Sequence, residues 1–399
     1  MSNLEIVYFG AGGGHRGSAV ALAEVIRRQQ RPWEVELVNL DDLLEPVDIV
    51  HRATGIRASE FYNWSLRMGW TSLPGRLLPV THQIIRVLHE RQVAMLRRFW
   101  RRTNPDMVVS VVPHFGRAIF HALAESCPRA KLVTILTDLA DYPPHFRLER
   151  QNQHFICGSA KAIEQARHIG APESQIWRVS GMVVHPRFYE PRNLQRREER
   201  IRHGLSPDRP TALILFGGYG SSEMAGILRR LSGARSEAQV IVLCGRNPQL
   251  VRRLSRMKTP FPKLVVGFTQ DVHRYMQMSD VFIGKPGPGS VSESLAAGLP
   301  VIVERNSGTM VQERYNADWV EEQGVGIAIR SFREVPAALD TMLRTEVRAR
   351  FQRNLERLQN RAVFEIPGIL EQILDPARPY ALNQNKVEKD CLDSRDVHL

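Results

Sequence analysis

A chain of 399 residues, 43% hydrophobic and 24% charged, carries enough apolar material for more than one core, and its composition excludes collagen-like, low-complexity and disulfide-framework proteins. Its 54 basic residues against 42 acidic leave a formal charge of +12, which calls for an anionic partner: nucleic acid, an anionic membrane surface or a phosphorylated ligand. No apolar run approaches the ~20 residues of a spanning helix and no secretory leader is legible, so a cytoplasmic location is expected; Cys127, Cys157, Cys244 and Cys391 lack metal-ligand spacing and read as reduced thiols.

The chain opens with LEIVYFG from Leu4, a β-rich run that stops at a glycine cluster, and helical spacing follows from Ser18 to Arg28. Similar apolar runs recur at residues 35–40, 107–112, 131–137, 154–157 and 176–180, separated by helix-length segments. Strands alternating with helices predict a parallel, doubly wound α/β sheet for residues 1–190.

Residues 57–102 differ from their surroundings, with nine arginines against Glu60 and Glu90, interleaved with Phe61, Tyr62, Trp64, Trp70, Phe99 and Trp100. One reading is an interfacial membrane segment with Trp64, Trp70, Arg97, Arg98, Trp100 and Arg101 as lipid contacts. The other is a helix pair with an aromatic core and solvated arginines. Composition fits both.

Residues 191–210 turn charged and then proline-punctuated, as a linker or a surface helix between domains would. A second α/β series follows over 211–361, with strands expected at 211–216, 239–244, 263–266, 280–283 and 299–303. Helices are expected at 335–343 and 348–358, then an apolar patch at 364–374 and a polar, poorly ordered tail over 376–399.

Two glycine turns after strands carry the chemistry. In the first, Gly10 to Ser18, Gly12, Gly13 and Gly14 open a loop to close backbone approach and present His15; a dinucleotide fingerprint fails because its third glycine position is His15, and a Walker loop fails for want of lysine. His15 is a candidate general base, against the alternative of a loop-capping histidine. The second, Gly284 to Glu293, joins glycines and Pro288 to a helix start whose free N–H groups suit a diphosphate. Glu293 has two readings there, a ribose ligand or the far half of a Ser290-x-x-Glu293 capping box. The loop carrying Gly217 and Gly218, and the polar pair Gln312 and Glu313, complete the candidate ligand residues.

Beyond these individual turns, GAGGGHRGSA, TDLADYPPHF at 137–146, SGMVVHPRF at 180–188, LCGRN at 243–247, VGFTQDV at 266–272, KPGPGSVSESLAAGLPVIVE at 285–304 and QERYN at 312–316 resemble, in order, family 28 glycosyltransferases, in their diacylglycerol galactosyl- and glucosyltransferase branch. The resemblance implies two Rossmann-like domains facing across a cleft (the B-type glycosyltransferase fold), an acceptor-binding N-terminal domain, a UDP-sugar-binding C-terminal domain and a C-terminal helix, residues 362–375, returning to the first domain. It implies inverting transfer of galactose or glucose from a UDP-hexose to diacylglycerol, at the cytoplasmic face of an anionic membrane, with no cofactor and no metal. His15 and Asp138 then match catalytic or acceptor-side positions. Gly217, Gly218, Arg246, Phe268, Thr269, Pro288, Gly289, Ser290, Glu293, Gln312 and Glu313 match donor-side positions: Phe268 and Thr269 for uracil, Gly289 and Ser290 for phosphate, Glu293 for ribose, Gln312 and Glu313 for hexose. The stretch 304–311 departs from the plant enzymes, so galactose and glucose both stay open. The rivals are N-acetylhexosamine transfer to a polyprenyl-linked lipid and, in another class, a non-catalytic nucleotide-sugar sensor; nucleic-acid binding has no recognised module behind it.

Overall fold

The computed structural model describes all residues except 11–12, 48–82, 144–145, 191–194, 235 and 378–399. The expectations for Gly12, Trp64, Trp70 and nearly all of the polar tail fall outside the described residues.

The chain divides into two compact units. The first combines the N-terminal part of the chain up to Pro186 with everything from Asn360 onward, and the second spans Arg187–Gln359. In the first, strands β1 (Ser2–Tyr8), β2 (Trp33–Asn39), β3 (Met107–Ser110), β4 (Lys131–Ile135), β5 (His154–Cys157) and β6 (Ile176–Arg178) form one parallel sheet in the order β2-β1-β3-β4-β5-β6. Helices α1 (Gly14–Arg28), α2 (Leu40–Leu44), α3 (His89–Thr103), α4 (Gly116–Ser126) and α5 (Ala160–His168) follow or join them. Every residue of β3 is buried, as a strand covered on both faces must be, which is why its run is continuously apolar rather than alternating.

In the second unit, β7 (Thr211–Leu215), β8 (Gln239–Leu243), β9 (Lys263–Val266), β10 (Val281–Gly284), β11 (Val301–Glu304) and β12 (Gly326–Ile329) form a parallel sheet ordered β12-β11-β10-β7-β8-β9. Its helices are α6 (Arg196–Arg202), α7 (Glu223–Gly233), α8 (Pro248–Arg256), α9 (Val272–Gln277), α10 (Pro288–Ala296), α11 (Val311–Glu322), α12 (Val335–Leu343) and α13 (Thr345–Arg357). Strand order reverses beside β1 in the first sheet and beside β7 in the second. In open α/β sheets that reversal opens a crevice at the strands' carboxyl ends, and both glycine turns leave those ends.

Two sequence expectations are corrected. Residues 196–210 are not a linker but part of the second unit: the Arg200 guanidinium is buried, donating to Met278 O at 2.7 Å and Asp280 Oδ2 at 2.8 Å, while Arg196 and Arg348 each reach Asp280 Oδ1 at 2.8 Å. Charge that resembles a solvated linker is gathered on one buried carboxylate, held below the usual carboxylate range because the three cations and the Thr211 N–H outweigh its burial. Strand β12 is absent from the expected elements. Its four residues open on Gly326, two positions after Gly324, and pairing to β11 rather than propensity makes them a strand.

The last helix, α14 (Ala362–Leu374), belongs to the first unit and finishes its core: Ala362, Ile366, Ile369, Leu370 and Ile373 pack with Leu4, Ile6, Leu22 and Ile26. Polar clamps fix it at both ends. Arg361 N donates to Ser180 Oγ at 2.6 Å, Ser180 N to Glu365 Oε2 at 2.8 Å, and Arg31 pairs with Glu371.

Candidate active site

In the first unit the β1 turn ends at Gly13, whose φ of +80° is the left-handed conformation glycine adopts without strain, and α1 begins at Gly14. The helix therefore starts four residues earlier than the apolar periodicity suggests, and His15 rides in its first turn rather than on a loop. A Cβ at Gly13, Gly14 or Gly17 would meet nothing within 4 Å among the described residues, so these glycines leave room for close approach.

Opposite His15 stands a residue that the motifs do not single out. The Arg147 guanidinium, in the segment after β4, donates through Nη2 to Asp138 Oδ2 at 2.5 Å and faces His15 Nε2 at 3.5 Å. The Arg147 and Asp138 side chains are only 3% and 5% exposed. Asp141 fixes the Arg147 backbone, accepting from its N–H at 2.7 Å and from Leu148 N at 3.3 Å; burial lifts the Asp141 carboxyl above its ordinary range. Burial and the adjoining guanidinium push His15 down to about 3, so the imidazole is neutral at physiological pH. With Nε2 facing a donor, the ring proton belongs on Nδ1, which is enclosed and has no partner among the described residues. The structure thus joins His15 to Asp138 through Arg147, a link invisible to motif reading because Arg147 lies 132 residues from His15.

In the second unit four loops at strand ends gather the expected donor residues. After β7, Gly217 turns with φ +68° and Gly218 is exposed. After β8, Gly245 approaches so closely that a Cβ would lie 2.2 Å from Gly218 O, and Arg246 N donates to that same oxygen at 2.8 Å. These two loops are stitched by backbone, which glycine alone permits. Phe268, after β9, is 50% exposed, with the Arg246 guanidinium 3.7 Å from its ring centroid; Thr269 Oγ1 accepts from Asp271 N at 3.0 Å, closing the turn. After β10, Gly287 is the N-cap of α10 and Pro288 opens the helix. Gly289 is exposed, and a Cβ placed there would meet nothing within 4 Å among the described residues.

That capping arrangement settles one alternative. Ser290 is inside the helix rather than at its cap, so no capping box forms, and Glu293 lies one turn further on. Burial pushes Glu293 up to about 7, with Arg187 opposing the shift. Glu313, on α11, is buried and ion-paired with Lys285 Nζ at 2.7 Å, while Gln312 Nε2 contacts Met310 Sδ at 3.6 Å. Lys285 is a second residue that motif reading leaves without a role, although it opens the KPGPGS stretch.

Comparison with known proteins places this arrangement. The family model of the glycosyltransferase family 28 C-terminal domain matches residues 221–373. Over that stretch the chain is similar to the C-terminal domain of family 28 glycosyltransferases. It is 27% identical over 381 residues to the monogalactosyldiacylglycerol synthase of Spinacia oleracea, covering 91% of this chain and 71% of that one, and 26% identical over 396 residues to monogalactosyldiacylglycerol synthase 2 of Arabidopsis thaliana, covering 95% and 82%. Among solved structures it resembles the S. aureus MnaA–UDP complex (TM-score 0.60, 15% identity, 94% of this chain and 96% of that one) and the glycosyltransferase WaaG (TM-score 0.55, 13% identity, 94% and 99%). The likeness to these structures shows the fold, the B-type glycosyltransferase fold.

The membrane assignment of the basic segment is corrected in part. Trp100 is fully buried, its indole N–H donating to buried Glu5 at 2.8 Å, and it packs with Leu96, Val108 and Leu123. It is core, not a lipid contact. Arg97 pairs with Glu125 at 2.7 Å, whereas Arg98 and Arg101 have no such pair among the described residues and both are exposed. Among the described residues no helix is long and apolar enough to cross a membrane.

Proposed function

We propose that the protein is a family 28 glycosyltransferase that moves a hexose, galactose or glucose, from a UDP-hexose to diacylglycerol with inversion, making a β-glycolipid at an anionic membrane surface on the cytoplasmic side. The observation that carries the reading is the match, across more than nine-tenths of the chain, to proteins named monogalactosyldiacylglycerol synthase. The second unit's geometry supports the donor half. Free N–H groups at the start of α10 and the open ground around Gly218 and Gly289 suit a diphosphate, the exposed Phe268 suits a base, and Glu293 suits a ribose diol. No metal or cofactor is assigned to the reaction.

In this mechanism the acceptor hydroxyl attacks the anomeric carbon in line with the departing UDP. His15 takes the hydroxyl proton; burial and the adjoining Arg147 guanidinium keep its imidazole neutral but also make it a weak base, so it accepts the proton only once that guanidinium has turned from Nε2 towards Asp138.

A transfer assay with radiolabelled UDP-galactose, UDP-glucose and UDP-N-acetylglucosamine, offered with diacylglycerol in anionic vesicles, tests the reading. Label from one hexose donor in the lipid phase is expected; label from the N-acetylhexosamine alone replaces the donor, and binding of UDP-sugar without transfer makes the protein a sensor. His15→Ala is expected to slow transfer by about 10²–10⁴-fold with UDP affinity retained, and a change of only a few-fold removes His15 from the role of base.

A further inference from the structure

Lys285 stands at the carboxyl end of β10, immediately before the turn that starts α10. Its ion pair with Glu313 is asymmetric: the carboxylate side chain is 7% exposed and the ammonium side chain 25%, so the acid is sealed in while the cation reaches outward. A Cβ placed at Gly287 would lie 3.6 Å from Lys285 Cε and 4.0 Å from Nζ, and one at Gly217 would lie 4.0 Å from Cε. One lysine side chain therefore lies against both glycine turns of the second unit, at the helix start where the free N–H groups gather. Asn316 Nδ2, donating to Pro286 O at 2.9 Å, holds the intervening backbone to the same helix that carries Glu313. An ion pair this enclosed is a poor device for stability alone, because desolvating two charges offsets most of their attraction. What it does provide is a cation fixed in place.

We propose that Lys285 is a catalytic residue that neutralises the charge appearing on the leaving diphosphate, and that Glu313 is its positioning residue rather than a primary hexose ligand. The inference rests on the reading that a UDP-hexose is the donor. During transfer the bond between the anomeric carbon and the β-phosphate oxygen breaks, its electron pair stays on that oxygen, and the acceptor oxygen forms the new bond to carbon while its proton passes to the base. UDP thus departs with one more negative charge than it carried in the sugar nucleotide. A preorganised ammonium binds that extra charge more strongly than the donor's, which is the differential interaction that speeds the chemical step.

The test is calorimetric titration of the full chain and of Lys285→Met, Lys285→Arg and Glu313→Gln with UMP, UDP and UDP-glucose. For Lys285→Met, UMP affinity is expected within about threefold of wild type, since UMP lacks the β-phosphate, whereas UDP affinity falls about tenfold or more beyond any loss for UDP-glucose. Lys285→Arg restores most of the UDP preference, and Glu313→Gln loses part of it in the same ratio. UMP binding also reports that each variant is folded; should Lys285→Met fail to fold, the arginine and glutamine variants carry the comparison. Equal losses for UDP and UDP-glucose, or no loss for UDP, overturn the role of Lys285 while leaving the donor assignment intact. Failure of the wild-type chain to bind any of the three nucleotides overturns the donor assignment itself.

Discussion

The two glycine turns look alike in the sequence, each a strand, a glycine cluster and a helix start, yet the structure equips them in opposite ways. At the first turn the ionisable groups are gathered behind the glycines and already paired, with Arg147 buried between Asp138 and His15. At the second turn the side chain of Lys285 is partly exposed, Glu293 is half-buried, its carboxyl raised by desolvation with Arg187 opposing the shift, and backbone N–H groups are open. One turn encloses a neutral imidazole among charges already paired, the other leaves a cation and helix-start N–H groups turned outward. A glycine turn specifies room for close approach, and the residues brought in from distant strands specify what is approached.

The largest expected effect that can break this contrast is on stability. Asp138→Asn removes the carboxylate that balances the buried Arg147 guanidinium, which is expected to cost about 3–5 kcal/mol of unfolding free energy, read from urea titration. Glu313→Gln, releasing a lysine that reaches solvent, is expected to cost clearly less. If the two substitutions cost the same, the distinction between a sealed and an open turn is wrong.

A middle-sized effect concerns the basic segment. Trp100→Phe removes the donor to Glu5, whose carboxyl stays buried and is already raised by burial, so a loss of about 1–3 kcal/mol is expected, with sedimentation on anionic vesicles unchanged. Weakened vesicle binding at unchanged stability would return Trp100 to the lipid interface.

The smallest effect is the one that separates the turns by sign. Glu293 is raised from 4.5 to about 7, so between those values the folded chain keeps a proton that the unfolded chain has released; its contribution makes stability fall as pH rises through that window, and Glu293→Gln flattens the fall. His15 is lowered from 6.5 to about 3, so there the unfolded chain binds the proton first; its contribution makes stability fall as pH drops from 6.5 towards 3, and His15→Ala flattens that limb. Thermal unfolding of the wild type and both variants across a pH range of about 3–8 measures both slopes, and slopes of one sign would contradict the assignment.

Much of the fold was legible because the pattern that encodes it is local. The runs at 154–157 and 263–266 coincide with β5 and β9, and the helix expected at 335–343 is α12, since continuous apolar runs and 3.6-residue spacing need no distant information. The failures share a cause. The segment 196–202 reads as solvated charge until Asp280, about 80 positions away, is placed beneath it, and Trp100 reads as interfacial until Glu5 meets its indole. Of the site residues, His15, Glu293 and the glycines could be named from their turns. Arg147 could not, because nothing near it in the sequence distinguishes a buried guanidinium from the other arginines of a strongly basic chain.

By itself the sequence determined the alternation of strands and helices, the two glycine turns, the ordered motifs that resemble family 28 glycosyltransferases and a positive charge that calls for an anionic partner. Tertiary structure decided which charges are neutralised within the fold and which face outward: Asp280 absorbs three arginines, Arg147 holds His15 neutral beside Asp138, and Glu313 supports Lys285. The physical reason is range. Periodicity and turn chemistry act over a few residues, whereas the fate of an ionisable group depends on burial and on a partner that only folding brings within hydrogen-bond distance.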